Sequence, residues 1–246
     1  MFLEFKVNNF LSLKEEQVLS FEASADSTLE NFFIVNKGKK RLLKMALLYG
    51  ANASGKTNII AALDFLRGVV LNRSKDKASG TAFVPFLLDE KTKNDYGVFD
   101  LSFFIDDTLH LYHLELNDRF INKEELYYYP GVKRALIFSR NHNHEKEIAE
   151  LDFGSTLKLK PSDKTLIQGN TIKNISVIAA FSKLNIEFPE TGIINEKLIP
   201  PFIPMAKFSI LKPFGPAKII CGELCISSSL IEGNVSKESC ENKNPG

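Results

Sequence analysis

The residues with the clearest chemical meaning form one short run, residues 50–57, which reads Gly-Ala-Asn-Ala-Ser-Gly-Lys-Thr. The run fits the pattern G-x-x-x-x-G-K-[ST], in which the backbone N–H groups of a glycine-containing loop surround a phosphate. Gly50 and Gly55 permit backbone conformations that a side chain would block. A helix starting at about Gly55 would direct the positive end of its dipole toward the same anion. The pattern therefore predicts a phosphate-binding P-loop.

Two side chains of the run predict how a nucleotide is held. Lys56 would reach the β- and γ-phosphates, and the Thr57 hydroxyl would bind Mg²⁺. The base-reading tetrapeptide Asn-Lys-x-Asp of GTPases does not occur in the chain, which favours ATP over GTP. We therefore expect ATP and Mg²⁺ as cofactors, with Thr57 as the metal ligand. The residues expected to contact the nucleotide are Gly50, Ala51, Asn52, Ala53, Ser54, Gly55, Lys56, Thr57 and Asn58.

The sequence on either side of the loop predicts the strand and the helix that a P-loop joins. Residues 43–49, Leu-Lys-Met-Ala-Leu-Leu-Tyr, are typical of a short buried strand. After the loop, apolar residues recur at helical spacing and predict a helix that ends near Asn72. These apolar residues are Ile59, Ile60, Leu63, Leu66 and Val70.

Period-two alternation predicts that much of the remaining chain is β-structure. Residues 2–7 and 17–23 are expected to be strands, and the polar residues 24–41 a loop. From Tyr96 onward the alternation predicts an antiparallel meander with short turns. Its strands are expected at residues 99–105, 109–116, 119–129 and 132–139.

The chain is expected to form one lobe, residues 1–198, followed by an atypical, poorly ordered tail, residues 199–246. The tail holds six of the ten prolines and all three cysteines, and its last twenty residues are polar. Residues 73–82 have the composition of a linker. The parts expected within the lobe are the P-loop at 50–57, a β-rich part at 83–160 and a helical part at 171–198, with helices at 171–184 and from about 195.

Composition excludes several classes of protein. The formal net charge of +1 gives no global attraction to nucleic acid or membrane, and no apolar run is long enough to cross a bilayer. The first residues do not have the pattern of a signal peptide. Three cysteines, all late in the chain, argue against a disulfide framework. We expect a cytoplasmic protein with no membrane partner.

Three other groups of residues are weaker candidates for metal or ligand binding. Asp89 and Asp107 each follow an apolar stretch and could supply a carboxylate for Mg²⁺ or water, although an edge strand or loop explains Asp89 better and a hairpin turn explains Asp107 better. His110 and His113 lie three apart on a predicted strand, so they should face opposite ways and not share a metal. The three tyrosines 127–129 could form a ligand platform but are more typical of strand packing.

Residues 47–63, which include the P-loop, resemble the head of SMC/RecF-type ATPases, P-loop proteins of the ABC lineage. They are most similar to a prokaryotic subgroup of stand-alone AAA-family ATP-binding proteins, many of which act in phage defence and abortive infection. Residues 5–12, 124–126 and 137–140 resemble the family's first strand and its N-terminal lobe. The resemblance covers about residues 1–195.

This resemblance implies an α/β fold: a P-loop NTPase N-terminal lobe of the ABC/SMC-head type with an antiparallel β meander. In such proteins ATP lies between two heads, which implies a homodimer, and relatives act beside nucleases or on DNA ends. Residues 8–13 would lie near the adenine and ribose. The family's signature motif, acidic strand end and switch histidine are not recognisable after Leu184. We therefore expect a truncated or frameshifted member with an incomplete C-terminal lobe and weak or no hydrolysis.

Three interpretations of function follow from these observations. The first is an ATPase head of the SMC/RecF type in a DNA-associated or anti-phage system. The second is an interaction module that binds nucleotide without hydrolysing it and docks a partner through the meander. The third is a small-molecule P-loop kinase that uses Asp89 or Asp107 as its acidic partner.

Overall fold

A seven-stranded antiparallel sheet forms the main layer of the molecule, with strand order β2-β1-β5-β6-β7-β8-β9. The structure is a computed structural model that describes residues 1–71 and 80–184 and the backbone of residues 209–210 and 220–221. The strands of the main sheet are β1 (Phe2–Asn8), β2 (Gln17–Ser20), β5 (Gly97–Ile105), β6 (Thr108–Leu116), β7 (Ile121–Tyr128), β8 (Ala135–Asn143) and β9 (Ile148–Phe153). Two further sheets have two strands each: β3 (Ile34–Lys37) pairs with β4 (Lys40–Leu43), and β10 (Ser209–Ile210) pairs with β11 (Ile220–Cys221).

Five helices accompany the strands in the described part of the chain. They are α1 (Glu30–Phe33), α2 (Lys56–Val70), α3 (Glu90–Lys93), α4 (Pro161–Asn170) and α5 (Val177–Lys183). Helix α2 is the long helix predicted after the P-loop. Its buried residues, which include Leu63 and Leu66, recur at helical spacing and face the core.

The inner face of the sheet and helix α2 together build the core. On β5 the residues Phe99, Leu101 and Phe103 are buried, because alternate side chains of a strand point to the same face. The ring of Phe65 on α2 lies 5.4 Å from the ring of Phe99. Phe10, from the turn after β1, contacts both rings at 5.3 Å and 5.5 Å. These aromatic contacts hold the helix that follows the P-loop against the sheet.

The predicted hairpin from β5 to β6 is confirmed, with its turn at Asp106 and Asp107. The remaining meander strands are present with shifted ends, and β9 and α4 were not predicted. The predicted helix at 171–184 is shorter than expected and begins at Val177. The helix expected from about residue 195 and most of the predicted tail lie outside the described residues.

Two local predictions were wrong. Residues 24–41 are not a loop throughout, because α1, β3 and the first half of β4 lie there and Gly38 turns the hairpin with φ 55°. The hairpin was not predicted because the basic residues at 37–41 occupy its turn. Its apolar residues, such as Leu42, lie at the far ends of the two strands. The strand predicted at residues 43–49 is also absent apart from Leu43, which ends β4. Within the described chain no strand pairs with residues 44–49, and the exposed fraction of Tyr49 is 86 %.

A buried polar cluster connects the inner face of the sheet to the segment before α5. Glu124 and Arg140, on neighbouring strands, have no exposed surface, and Tyr112 is 1 % exposed. One oxygen of Glu124 accepts the Tyr112 hydroxyl at 3.0 Å, and the other accepts the backbone N–H of Val177 at 2.8 Å. Burial raises the pKa of Glu124, and the positive charge of Arg140 opposes that rise.

Arg140 explains why the last helix starts late. Its guanidinium donates to the carbonyl oxygens of Ile172, Lys173 and Ile175 at 3.1, 3.0 and 2.7 Å. Arg140 also lies 3.8 Å from a carboxylate oxygen of Glu124. Carbonyls that turn toward a side chain cannot all accept helical hydrogen bonds, so the helix forms only beyond them.

We expect Arg140→Met to lower the free energy of unfolding by about 3–5 kcal/mol, because it leaves the Glu124 carboxylate buried without its cation. Lys123→Met is the matched control, since Lys123 pairs with Glu125 at 3.2 Å on the outer face and such pairs contribute about 0–1 kcal/mol. Urea denaturation measures both values. Equal losses in the two variants would contradict the importance assigned to the buried pair.

His110 is the buried histidine of the inner face, with 1 % of its surface exposed. Its ring lies between Phe103, at 5.4 Å, and Tyr128, at 6.0 Å. The Nδ1–H group donates to the carbonyl oxygen of Thr108 at 3.0 Å. Burial lowers the pKa of His110 to about 4, because the aromatic surroundings disfavour the charged ring.

This lowered pKa predicts a pH dependence of stability. Between about pH 6.5 and 4 the unfolded chain binds a proton at residue 110 that the folded chain does not, so stability falls as the pH falls through that window. The full effect is at most about 3 kcal/mol. Urea denaturation from pH 7.5 to 4.5 should show a shallower fall for His110→Phe than for wild type. A fall as steep in His110→Phe as in wild type would contradict the role assigned to His110.

Candidate functional site

The backbone of the P-loop curves back on itself through three residues with positive φ. The values are 154° for Gly50, 62° for Ala53 and 84° for Gly55. Alternation between right- and left-handed backbone turns successive N–H groups to one side of the chain and produces a concave anion-binding surface. Residues 51–54 are exposed, so this surface is open to a ligand.

Helix α2 begins directly at the end of the loop. Gly55 is its N-cap, has left-handed backbone geometry and makes no side-chain cap. The first N–H groups of a helix have no intrahelical acceptor, and the helix dipole places partial positive charge there. Lys56 and Thr57 are the first two residues of α2 and add an ammonium and a hydroxyl to these donors. The site is thus rich in hydrogen-bond donors and positive in charge.

Lys56 folds back over the loop. Its ammonium donates to the carbonyl oxygen of Gly50 at 2.9 Å and to the Ser54 hydroxyl at 3.1 Å, and also contacts the carbonyl of Ala51. These contacts hold the positive charge at the concave side of the loop. An incoming phosphate could replace the loop carbonyls as acceptors while the lysine stem stays in place, because each ammonium has three donors.

Thr57 is exposed on the first turn of α2. A single hydroxyl does not make a metal site alone, and no group of three His, Cys, Asp or Glu side chains in the described ranges could hold a metal ion. Mg²⁺ usually retains several waters and binds through one or two protein ligands together with substrate phosphates. The donor set at Thr57 therefore fits Mg²⁺ only together with a bound nucleotide.

The turn after β1 forms one wall of the loop. The Asn58 amide donates to the Ser12 hydroxyl. A Cβ atom added to Gly55 would lie 3.2 Å from Leu13, so that side chain packs directly against the N-cap. These contacts bring residues 12 and 13 to the P-loop. That residues 8–13 lie near the adenine and ribose stays a prediction.

The two aspartates that could have served the loop have other partners. Asp89 caps α3 by accepting from the backbone N–H of Lys91 at 2.8 Å, and it pairs with Lys14 at 2.8 Å. The pKa of Asp89 is lowered, mainly by the hydrogen bond from Lys14 and then by the hydrogen bond from the backbone N–H of Lys91. Asp107 lies at the turn of the β5–β6 hairpin, 3.6 Å from Lys37. These contacts explain both carboxylates without a bound metal.

The other weak candidates have structural surroundings. His110 faces the core while His113 lies on the outer face, 2.7 Å from Asp100, which confirms that the two histidines point apart. Tyr128 stacks on His110 on the inner face of the sheet. Tyr127 lies under the guanidinium of Arg134 at 4.6 Å. The run of tyrosines thus packs on both faces of β7.

A family model described as "AAA domain, putative AbiEii toxin, Type IV TA system" matches residues 45–190. The match covers more than half of the chain and includes the whole P-loop. No curated protein and no solved structure matches the chain. Among the described residues, no helix is both long and apolar enough to span a bilayer.

The backbone geometry at Gly55 predicts a glycine requirement. Gly55→Ala should destabilise the protein by about 1–2 kcal/mol, because a left-handed backbone is costly for a residue with a Cβ atom and because Leu13 would have to move. The matched control is Gly169→Ala in helix α4, where the added methyl meets nothing within 4 Å and should stabilise by about 0.5–1 kcal/mol. Urea denaturation gives both values. A neutral or stabilising effect of Gly55→Ala would contradict the left-handed geometry of the N-cap.

Proposed function

Because the chain belongs to the AAA-domain family whose description includes the AbiEii toxin and type IV toxin–antitoxin systems, we propose that it is a P-loop ATPase whose residues 50–58 bind Mg·ATP. The observation that supports this proposal most is the geometry of the loop. Three positive φ values, an uncapped helix start and a lysine directed at the concave side occur together within eight residues.

Each residue of the loop has a distinct role in this proposal. The backbone N–H groups of residues 51–57 donate to phosphate oxygens, as they do in anion nests and at helix N-termini. Lys56 transfers its hydrogen bonds from loop carbonyls to the β- and γ-phosphates. Thr57 would hold Mg²⁺, which when bound would supply positive charge to neutralise the phosphates. Asn58 keeps the first turn of α2 in contact with Ser12.

We further propose that the chain belongs to the SMC/RecF-like branch of P-loop ATPases. The support is the resemblance of residues 47–63 to the P-loop of such heads and the antiparallel meander that accompanies it. In this proposal ATP promotes association of two heads into a homodimer. The cellular role is abortive infection or another anti-phage response, with DNA and a nuclease effector as candidate partners.

A second candidate function is nucleotide binding without hydrolysis. ATP hydrolysis requires a group that orients water, commonly a carboxylate. The loop itself carries no carboxylate, and the two candidate aspartates have structural partners in Lys14 and Lys37. The same observation disfavours a small-molecule kinase that depends on Asp89 or Asp107.

Titration calorimetry of the full chain with Mg·ATP tests the site. Lys56→Ala should weaken binding by about 1.5–3 kcal/mol, because it removes a charge-assisted contact to phosphate. Lys93→Ala, which removes the same charge from the exposed helix α3, should bind as wild type does. Thr57→Ala should reduce the gain in affinity that Mg²⁺ provides, while binding in the presence of EDTA stays unchanged.

Two outcomes decide between the candidate functions. Steady phosphate release that Lys56→Ala abolishes would support the ATPase, whereas tight binding without phosphate release would support the non-hydrolysing module. Equal Mg·ATP affinity for wild type and Lys56→Ala would exclude this loop as the nucleotide site.

A further inference from the structure

Asn9 is a buried amide whose two ends both have partners. Only 2 % of its surface is exposed. Its Nδ2 group lies within hydrogen-bond distance of the carbonyl oxygens of Thr92, Asp95 and Tyr96, at 2.9, 3.3 and 3.2 Å. Its Oδ1 atom accepts the backbone N–H of Phe86 at 2.9 Å. One side chain thus connects the end of β1 to both ends of the segment that precedes β5.

Asn9 also begins the turn that reaches the P-loop. Its own φ is 52°, a left-handed value that asparagine tolerates better than most residues. The next four residues close a tight turn in which Phe10 and Leu13 exchange backbone hydrogen bonds at 2.9 and 2.8 Å. We call residues 10–13 the N-terminal turn.

The N-terminal turn contacts α2 and its N-cap at three points. Ser12 accepts the amide of Asn58, and Leu13 packs against Gly55. The ring of Phe10 lies 5.3 Å from Phe65, two helical turns further along α2. The turn therefore supports both the start of the helix and its buried face.

We propose that Asn9 is a positioning residue of the nucleotide site. It holds the N-terminal turn so that Ser12 and Leu13 keep Asn58 and Gly55 in the geometry that phosphate binding needs. This inference rests on the function proposed above and adds a residue that lies outside the P-loop motif. A loop that binds an anion through backbone N–H groups depends on such support, since small displacements weaken several hydrogen bonds together.

Asn9→Asp is the sharpest substitution for this test. Aspartate has nearly the same size and also tolerates left-handed backbone, and it can still accept from Phe86. However, it loses the donors to three carbonyl oxygens and places a negative charge beside them, which should displace the N-terminal turn. Asn94→Asp is the matched control, because Asn94 lies on the surface nearby and its side-chain amide donates to the carbonyl of Glu90, at 3.3 Å.

The measurement is calorimetric titration of the full chain with Mg·ATP and, separately, with inorganic tripolyphosphate. Asn9→Asp should weaken both ligands about tenfold, the change expected when one or two supporting hydrogen bonds are lost. Asn94→Asp should stay within about twofold of wild type. Because tripolyphosphate has no base or ribose, its weakening would locate the effect at the phosphate-binding backbone.

A double-mutant cycle with Ser12→Ala separates positioning from general destabilisation. Ser12→Ala alone should weaken tripolyphosphate binding about threefold to fivefold, since it removes one hydrogen bond to Asn58. The same change should have almost no effect in the Asn9→Asp background, where the contact is already lost. A merely structural role for Asn9 would leave the two effects additive.

The outcomes that overturn the inference are distinct from those that overturn the proposed function. A wild-type chain that binds neither ligand removes both proposals. A wild-type chain that binds, together with an Asn9→Asp variant that matches Asn94→Asp, removes the positioning role alone. Should Asn9→Asp fail to fold, Ser12→Ala decides by itself, and an unchanged affinity in that exposed-site variant would overturn the inference.

Discussion

The contact between helix α2 and the inner face of the sheet is the interaction on which the rest of the structure depends. Phe65 on the helix packs against Phe99 of β5 and Phe10 of the N-terminal turn. Burial of such rings supplies most of the free energy that can hold a helix in one orientation. Because these contacts fix the helix, its first turn lies at the edge of the core. The P-loop that precedes it is therefore at the surface, where residues 51–54 are exposed.

Buried polar groups then fix the positions of the segments that connect the packed helix and strands. Asn9 and the pair of Glu124 and Arg140 lie inside the protein, where an unsatisfied polar group is costly. Each therefore requires its partners at particular places. Asn9 bonds to backbone groups of residues 86–96, and Arg140 bonds to backbone groups of residues 172–175. Asn9 orders the segment before β5, and Arg140 orders the segment before α5. Buried side chains thus fix segments that have few backbone hydrogen bonds of their own.

Much of the candidate site could be predicted because its signals are local. The P-loop motif, the helix after it and the β5–β6 hairpin depend on residue types and spacing within a few turns of chain. The predictions that failed depended on distant partners. Residues 43–49 have strand-like composition, but a strand needs a neighbour, and in the described chain only Leu43 has one. The late start of α5 likewise depends on Arg140, which lies more than thirty residues earlier.

The sequence by itself determined the residue types of the loop: two glycines that allow left-handed backbone, a lysine ammonium and a threonine hydroxyl, to which the proposed function assigns phosphate and Mg²⁺. Only the tertiary structure decided what supports that loop. In the sequence Asn9 has the features of an ordinary turn residue. The residues next to it in the chain do not indicate that residues 86, 92, 95 and 96 surround it in the fold. The physical reason is that hydrogen bonds between distant segments leave no periodicity in the chain, whereas backbone conformation and side-chain chemistry are properties of each residue.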